Sequence, residues 1–151
     1  MLLQPDASGG RVDDVTLAAI AEEAVVALRA AGARVPGLGH PVHKDVDPRT
    51  PRVYELAGAE GLLGPHLRLL AFVGAVHDEI TGRHLPINGA GAAGAALVDI
   101  GIPPTSVRGV VLIARTAGLV AHLTEEAIDP IGMPLWLEVE GRASGEPPSG
   151  V

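Results

Sequence analysis

"GIPPTSVRGVVLIARTAGLVAHLTEE", residues 101–126, is the stretch that decides the fold class. After its proline pair, apolar side chains recur every three or four residues: Val110, Ile113, Ala114, Ala117 and Val120. This spacing predicts an amphipathic helix that is capped at Thr105 or Ser106 and ends at about Ala127. Arg115 interrupts the longest strongly apolar run, so no membrane span is expected.

The rest of the chain carries the same helical spacing. Helices are predicted over residues 12–31, from a cap at Thr50 to about residue 59, from Pro65 to about residue 82, and over 89–99 behind a cap at Asn88. Five residues are expected to form the inward face of the Pro65 helix: Leu67, Leu70, Ala71, Gly74 and Ala75. Residues 129–140 are predicted as a proline-interrupted segment. No useful alternating pattern occurs, so we expect an all-α domain over residues 12–140, a flexible leader over 1–11 and a disordered tail over 141–151.

Composition narrows the class of protein. Hydrophobic residues make up 47% of the 151 residues but aromatics only 2%, which favours helices packed through alanine, leucine and valine. The net charge of −7 argues against a nucleic-acid binder. There is no cysteine and no basic, apolar leader of the secretory type, so a cytoplasmic protein is expected. The mean hydropathy of +0.31 is high, which predicts an apolar face reserved for a partner chain and hence a homo- or hetero-oligomer.

Two motifs resemble one known family. "PGLGHPVHKDVDPR", residues 36–49, is similar to the P-G-x-G-H…D-P-R segment of citrate synthases, and residues 101–126 resemble that family's G-I-P-P and A-R-T-x-G-x-x-A-H-x-x-E helix. "DPIGMPLW" is similar to the ending of the citryl-CoA lyase branch. The resemblance implies the all-helical small domain of the citrate synthase / citryl-CoA lyase superfamily with the long helix that follows it. Most of the large domain has no counterpart here.

The resemblance also implies roles for individual residues. His40 matches the histidine that hydrogen-bonds the ketone of the keto acid, a role that suits an imidazole near its neutral pKa. Arg49 and Arg115 match the arginines that bind the carboxylates, for which a guanidinium fork is well shaped. Lys44 falls where the family has a basic residue near the phosphates of coenzyme A. The implied ligands are an oxaloacetate- or citrate-like carboxylate and an acyl-CoA thioester as substrate, with no permanently bound cofactor.

The chain departs from the family pattern at the catalytic base. Ala90 of "NGAGA" occupies the place of the aspartate in the family's N-V-D, although Asn88 is kept, and no H-G-G histidine segment occurs. Alanine cannot accept a proton, and the loss of a positioned base costs about 10²–10⁴-fold in rate. We therefore expect carbon–carbon bond chemistry that is incomplete or impaired in this chain taken alone.

Simpler explanations apply to the other motifs. The glycines of "GAGAAG" form G-x-G-x-x-G but lack the flanking βαβ pattern, so we interpret them as a helix-packing device. The remaining histidines show no metal-ligand spacing and are expected to be structural, with His122 packing beside Arg115. Three functions stay open: one half of a split enzyme, a non-catalytic carboxylate- or CoA-binding regulatory subunit, and a decayed enzyme.

Overall fold

The computed structural model of the chain describes residues 12–142. Six helices follow in order: α1 (Asp14–Ala30), α2 (Arg49–Ala59), α3 (Pro65–Thr81), α4 (Gly89–Asp99), α5 (Pro104–Ile128) and α6 (Gly132–Arg142). Between residues 12 and 142 there is no β-strand, and Leu38 and Ile87 form an isolated antiparallel bridge. The all-α prediction is confirmed.

The helices fall into two compact units, Met1–Val111 and Leu112–Val151. The first unit holds α1 to α4 and the first two turns of α5. The second holds the remainder of α5 and the whole of α6. The predicted leader, residues 1–11, lies outside the described residues, as does the predicted tail from residue 143 onward.

The core of the first unit lies where α1, α3 and α4 pack together. On α1, the buried side chains are spaced four residues apart, which is the spacing of one helix face. The fully buried apolar residues of this core are Leu17, Ala21, Val25, Leu67 and Ala92. No aromatic side chain is among them, as the scarcity of aromatic residues in the sequence predicts.

Polar contacts fix the direction of α1 relative to α3. Near the start of both helices, Arg68 donates a 2.8 Å hydrogen bond to the carbonyl of Val12 and pairs with Asp14. Near their ends, Arg29 donates to the carbonyl of Ile80 at 3.2 Å. The two helices therefore run side by side in the same direction.

Several helix ends follow the sequence prediction. Pro65 is the first residue of α3, and the helix ends at Gly82, whose φ of 62° is in the left-handed region that glycine tolerates. Asn88 caps α4 by accepting a hydrogen bond from the Gly91 amide at 2.9 Å. The predicted helix over residues 12–31 is observed as α1, one to two residues shorter at each end.

Two predicted caps are wrong. The α2 helix begins at Arg49, and the Thr50 hydroxyl instead donates to the Ile87 carbonyl at 2.8 Å. The α5 helix begins at Pro104, ahead of both Thr105 and Ser106. At α2, the Asp47 carboxylate accepts from the Arg49 amide at 3.1 Å. At α5, Pro104 has no N–H that needs an acceptor and already has a helical φ, so it suits the first position of a helix.

The inward face predicted for α3 is partly wrong. Ala71 and Ala75 are exposed, whereas Leu67, Gly74 and His77 are buried. The buried stripe is narrower than the apolar stripe, because Ala71 and Ala75 line an open depression together with residues 45–47, 50–51 and 84–87.

The second unit contains a helix that the sequence did not predict. Residues 132–142 form α6, and Pro134 is its third residue, where a missing N–H breaks no intrahelical hydrogen bond. Glu126 accepts hydrogen bonds from the amides of Ile131 at 3.0 Å and Gly132 at 2.8 Å, so it supplies the partners that the start of α6 needs. The helix continues through Arg142 and includes the first two residues of the predicted tail.

Within residues 12–142, α5 is long and apolar enough to cross a bilayer by length and composition alone, since an 18-residue window of it has a mean hydropathy of 1.3. Arg115 lies in this helix and is costly inside a bilayer, so the expectation that no segment spans a membrane stays a prediction.

Candidate functional site

The loop between α1 and α2 is tied to the segment that precedes α4. The Gly39 amide donates to the Pro86 carbonyl at 2.8 Å and the Asn88 amide to the Gly37 carbonyl at 2.9 Å. The Asn88 side chain adds a 3.0 Å hydrogen bond to the Gly39 carbonyl. A Cβ atom at position 91 would lie only 2.7 Å from Gly37 Cα. Gly91 therefore lets the loop lie directly on α4, so this glycine serves loop-to-helix packing and not the predicted helix-to-helix packing.

The ring of His40 is fixed in this loop by its own backbone. Its Nδ1 accepts hydrogen bonds from the amides of Val42 and His43, both at 3.1 Å. A neutral imidazole that accepts at Nδ1 carries its proton on Nε2. The His43 ring lies against it, with 4.5 Å between the ring centroids. His40 therefore presents an N–H donor away from the loop.

Arg49 brings a second donor to the same place. Its Nη2 lies 3.3 Å from His40 Nε2. When Nε2 carries the proton, both atoms are donors, and neither can satisfy the other. An oxygen atom placed between them can accept from both, and a carboxylate or ketone supplies such an oxygen. The structure thus brings together two of the three residues predicted to bind the keto acid.

Asp47 holds Arg49 in this position. The Asp47 side chain is fully buried and accepts hydrogen bonds from Arg49 Nη2 at 2.7 Å and from Arg49 Nε at 2.9 Å. It also accepts from the Gly89 amide at 2.7 Å, at the start of α4. The Arg49 side-chain hydrogen bond and the Gly89 amide hold the pKa of the Asp47 carboxyl far below its usual range, against the opposing effect of burial. This residue was missed in the sequence, where only the "D" of "DPR" marks it.

Position 90 supplies no proton acceptor. Ala90 is exposed in the first turn of α4 and borders an apolar groove whose other walls come from α1 and α3. The carboxylate that does reach the start of this helix belongs to Asp47. Its lowered pKa makes it a weak base, and its oxygens already accept four hydrogen bonds.

Asp99, at the other end of α4, has a structural role. Its two oxygens accept from the amides of His66 and Leu67, both at 2.9 Å, and so satisfy the start of α3. The same carboxylate lies 2.8 Å from His66 Nδ1. A Cβ at position 64 would collide with it at 2.3 Å, so Gly64 leaves room for this contact. The Asp99 carboxylate therefore binds the start of α3 from the last residue of α4, away from position 90.

A basic concavity extends from His40 toward the end of α1. Its lining includes Arg29, Arg34, Lys44 and Arg83, and no aspartate or glutamate is among the described residues that line it. The Lys44 ammonium donates to the Pro41 carbonyl at 2.8 Å and to the His40 carbonyl at 3.4 Å, and its third hydrogen can serve an anion. In a protein of net charge −7, such a cluster is a local positive site.

Comparison with known proteins identifies the family. The family described as citrate synthase, C-terminal domain, matches residues 10–134. The chain belongs to the citrate synthase family.

One solved structure extends this result. The citryl-CoA lyase from Hydrogenobacter thermophilus is 28% identical, with a TM-score of 0.69 over 92% of this chain. The chain spans 58% of the length of that lyase. A comparison with curated proteins found no match.

The remaining arginine predicted for the citrate synthase site lies in the second unit. Arg115 is on α5 with an exposed side chain, and no hydrogen bond or salt bridge of it occurs within residues 12–142. His122 follows seven residues later on the same helix and is also exposed. The carboxylate-binding role of Arg115 and the packing role of His122 both stay predictions.

His84 links the α1–α2 loop to α3. Its Nε2 lies 2.8 Å from the Asp45 carbonyl and its Nδ1 lies 2.5 Å from Asp78. These two acceptors raise the pKa of His84, the Asp45 carbonyl most strongly, because both ring nitrogens must carry hydrogens to satisfy them. No group of three or more potential metal ligands occurs between residues 12 and 142.

Proposed function

We propose that this chain is the keto-acid-binding part of an enzyme that forms or cleaves the carbon–carbon bond between an acyl-CoA and a keto acid. The observation that carries the proposal is the convergence of His40 Nε2 and Arg49 Nη2, 3.3 Å apart, in a member of the citrate synthase family. Arg49 binds a carboxylate of the keto acid, and Arg115 is proposed to bind another. His40 donates its Nε2 hydrogen to the ketone oxygen.

The reaction assigns a clear task to His40. In the synthetic direction, the α-carbon of the acyl thioester attacks the ketone carbon, and the ketone oxygen gains a proton to become a hydroxyl group. In the lytic direction, that hydroxyl loses its proton as the carbon–carbon bond breaks. An imidazole whose Nδ1 is held by two backbone amides keeps Nε2 directed at this oxygen in both directions.

The acyl-CoA is proposed to place its phosphates in the basic concavity. Lys44 and Arg83 offer cations within the same depression that His40 lines. Phosphates are bound well by arginine forks and by lysine as a point charge. This arrangement would leave the thioester end of the molecule near the keto acid.

The enolisation step is the one that this chain does not support by itself. Ala90 stands where the family has its aspartate, and Asp47 is too weak a base to replace it. We expect the chain alone to bind the ligands with little turnover. Ala90→Asp alone should restore little, since the family's H-G-G histidine is also required.

Exposed apolar side chains favour a second candidate within this proposal, a subunit or segment that works with further protein. Large apolar residues of the second unit are more than half exposed, among them Ile113, Leu123 and Trp136. We propose that protein rather than lipid covers them, because α5 also carries Arg108 and Arg115, which are costly inside a bilayer. The assembled enzyme is then cytoplasmic and oligomeric.

Calorimetry with oxaloacetate and citrate tests the keto-acid site. Arg49→Ala removes a charged hydrogen-bond donor, so binding should weaken by about 1.5–3 kcal/mol, or about 10–100-fold. Arg52→Ala is the matched control, because Arg52 lies on the same helix and, among the described residues, pairs with the exposed Glu55 alone. Equal affinity in the two variants would refute the proposed site.

Turnover separates an enzyme from a regulatory binding subunit. Citryl-CoA cleavage is measured with the chain alone and after mixing with extracts or proteins that carry an H-G-G segment. Binding without turnover in every mixture supports the non-catalytic subunit. Cleavage at a rate typical of complete enzymes by the unmodified chain alone would contradict the role given to position 90.

A further inference from the structure

We infer that Asp47 and Gly89 together form a slot that sets the position of the Arg49 guanidinium, so that both are positioning residues for the keto-acid site. The role in ligand binding rests on the proposed function, whereas the slot itself is a property of the fold. The observations that carry the inference are the hydrogen bonds of Asp47 and the close approach of Arg49 to the first residue of α4.

Asp47 forms one wall of the slot. Three donors of Arg49 converge on it: the backbone amide at 3.1 Å, Nε at 2.9 Å and Nη2 at 2.7 Å. A carboxylate that receives both Nε and Nη2 fixes the plane of the guanidinium as well as its place. Because Asp47 is fully buried and also accepts from the Gly89 amide, it cannot follow the arginine if the arginine moves.

Gly89 forms the other wall through the absence of a side chain. A Cβ atom there would lie 2.7 Å from Arg49 Nε, 3.0 Å from Cζ and 3.2 Å from Cβ. Gly89 is buried, and its φ is not positive, so the backbone itself would accept alanine. The position therefore requires glycine for the space that Arg49 occupies and not for the conformation of the chain.

The two walls act on the same group. Moving the guanidinium away from Gly89 breaks its hydrogen bonds to Asp47 and separates Nη2 from His40 Nε2. The separation of 3.3 Å between those donors, on which recognition of a shared oxygen depends, would be lost. The glycine at position 89 thus determines whether an arginine in "DPR" can serve the keto acid in this chain.

Gly89→Ala tests the inference, with Gly94→Ala as the matched control on the same helix. A Cβ at position 94 meets only Val107 Cγ1 at 3.6 Å, an ordinary contact. The first readout is the ¹⁵N–¹H signal of Arg49 Nε and its exchange with water, in the full chain without ligand. We expect slow exchange in the wild type and in Gly94→Ala, and fast exchange in Gly89→Ala.

Affinity for oxaloacetate is the second readout. Gly89→Ala should weaken binding about 10-fold or more, in the same direction as Arg49→Ala, while Gly94→Ala leaves it unchanged. If the wild type binds no oxaloacetate, the proposed function fails, yet the Arg49 Nε signal still decides whether the slot exists. An Nε signal that is the same in all three proteins overturns the inference.

A double variant protects the test against a simple loss of folding. If the alanine at 89 acts through the Arg49 guanidinium, then Gly89→Ala should lower the Tm much more in the wild type than in an Arg49→Ala background, where only the Cβ of residue 49, 3.2 Å away, remains. Asp47→Asn should give the same fast exchange at Arg49 Nε without adding any heavy atom. Equal losses of Tm in both backgrounds would show that position 89 acts independently of Arg49 and would sink the proposal.

Discussion

The two units of this chain carry similar apolar residues, but the first unit buries them and the second leaves them exposed. In the first unit, Leu17, Val25 and Leu67 are completely buried between helices of the same chain. In the second unit, no described residue is buried, and Ile128, Met133 and Trp136 are between 63% and 81% exposed. An amphipathic pattern therefore shows that a helix has a face to cover, but not what covers it.

The two units also differ in how firmly they hold their candidate site residues. The first unit positions His40 and Arg49 through a buried carboxylate and a loop bonded to α4. The second unit carries Arg115 on α5, where its side chain is exposed and no residue of the same unit buries it. A preorganised site needs side chains that packing holds still, and only the first unit supplies that within the described residues.

The largest expected effect contrasts the two apolar faces. Leu17→Ala should lower the free energy of unfolding by about 2–5 kcal/mol, because it opens a cavity in the core. Leu123→Ala, at a site 61% exposed, should change it by less than about 0.5 kcal/mol. Urea denaturation of both variants measures this. A large loss for Leu123→Ala would show that α5 is covered in solution.

A smaller loss is expected from the carboxylate beneath Arg49. Asp47→Asn should destabilise the first unit by about 1–3 kcal/mol at neutral pH, because buried donors lose their charged acceptor. The folded-state pKa of Asp47 is depressed, so this stabilisation is present above the ordinary aspartate pKa of about 3.9 and is lost as the pH falls further. The difference in stability between the two proteins should thus shrink progressively as the pH falls below about 4. A constant difference down to pH 2 would contradict the assignment.

Loss of a helix cap should also affect the stability of the first unit more when the cap belongs to that unit than when it belongs to the second. Asn88→Ala removes the cap of α4 and a bond to the loop, so it should cost about 1–2 kcal/mol. Glu126→Gln weakens the cap of α6, and we expect a loss of helical circular dichroism without a change in the Tm of the first unit. A coincident fall of that Tm would show that the two units unfold together.

The smallest effect concerns the charge on His84. Its pKa is raised, so the contribution of its two hydrogen bonds is present below the ordinary histidine pKa of about 6.5 and is lost as the pH rises through the folded value. A proton NMR titration should show His84 titrating above 6.5 in the wild type and at a lower pH in Asp78→Asn. Identical titration curves would remove Asp78 as a cause.

The sequence by itself determined the helical class and the family, and it proposed the candidate site residues of the loop. Helical spacing, Pro65, Gly82 and Asn88 act within a few residues, so their consequences for α3 and α4 are visible without a fold. "GLGH" and "DPR" point to His40 and Arg49 as candidates because the family resemblance covers them. The resemblance likewise implies, as a prediction, that Ala90 replaces the family's base.

Only the tertiary structure decided how those residues are held. The hydrogen bonds of Asp47 to Gly89 and of Asn88 to Gly39 join positions more than forty residues apart, and no local pattern reports such contacts. Local rules also misplaced the start of α2 and omitted α6, where Asp47 and Glu126 supply the partners that the helix ends lacked. Backbone donors must be satisfied somewhere, and which side chain satisfies them depends on folding in three dimensions.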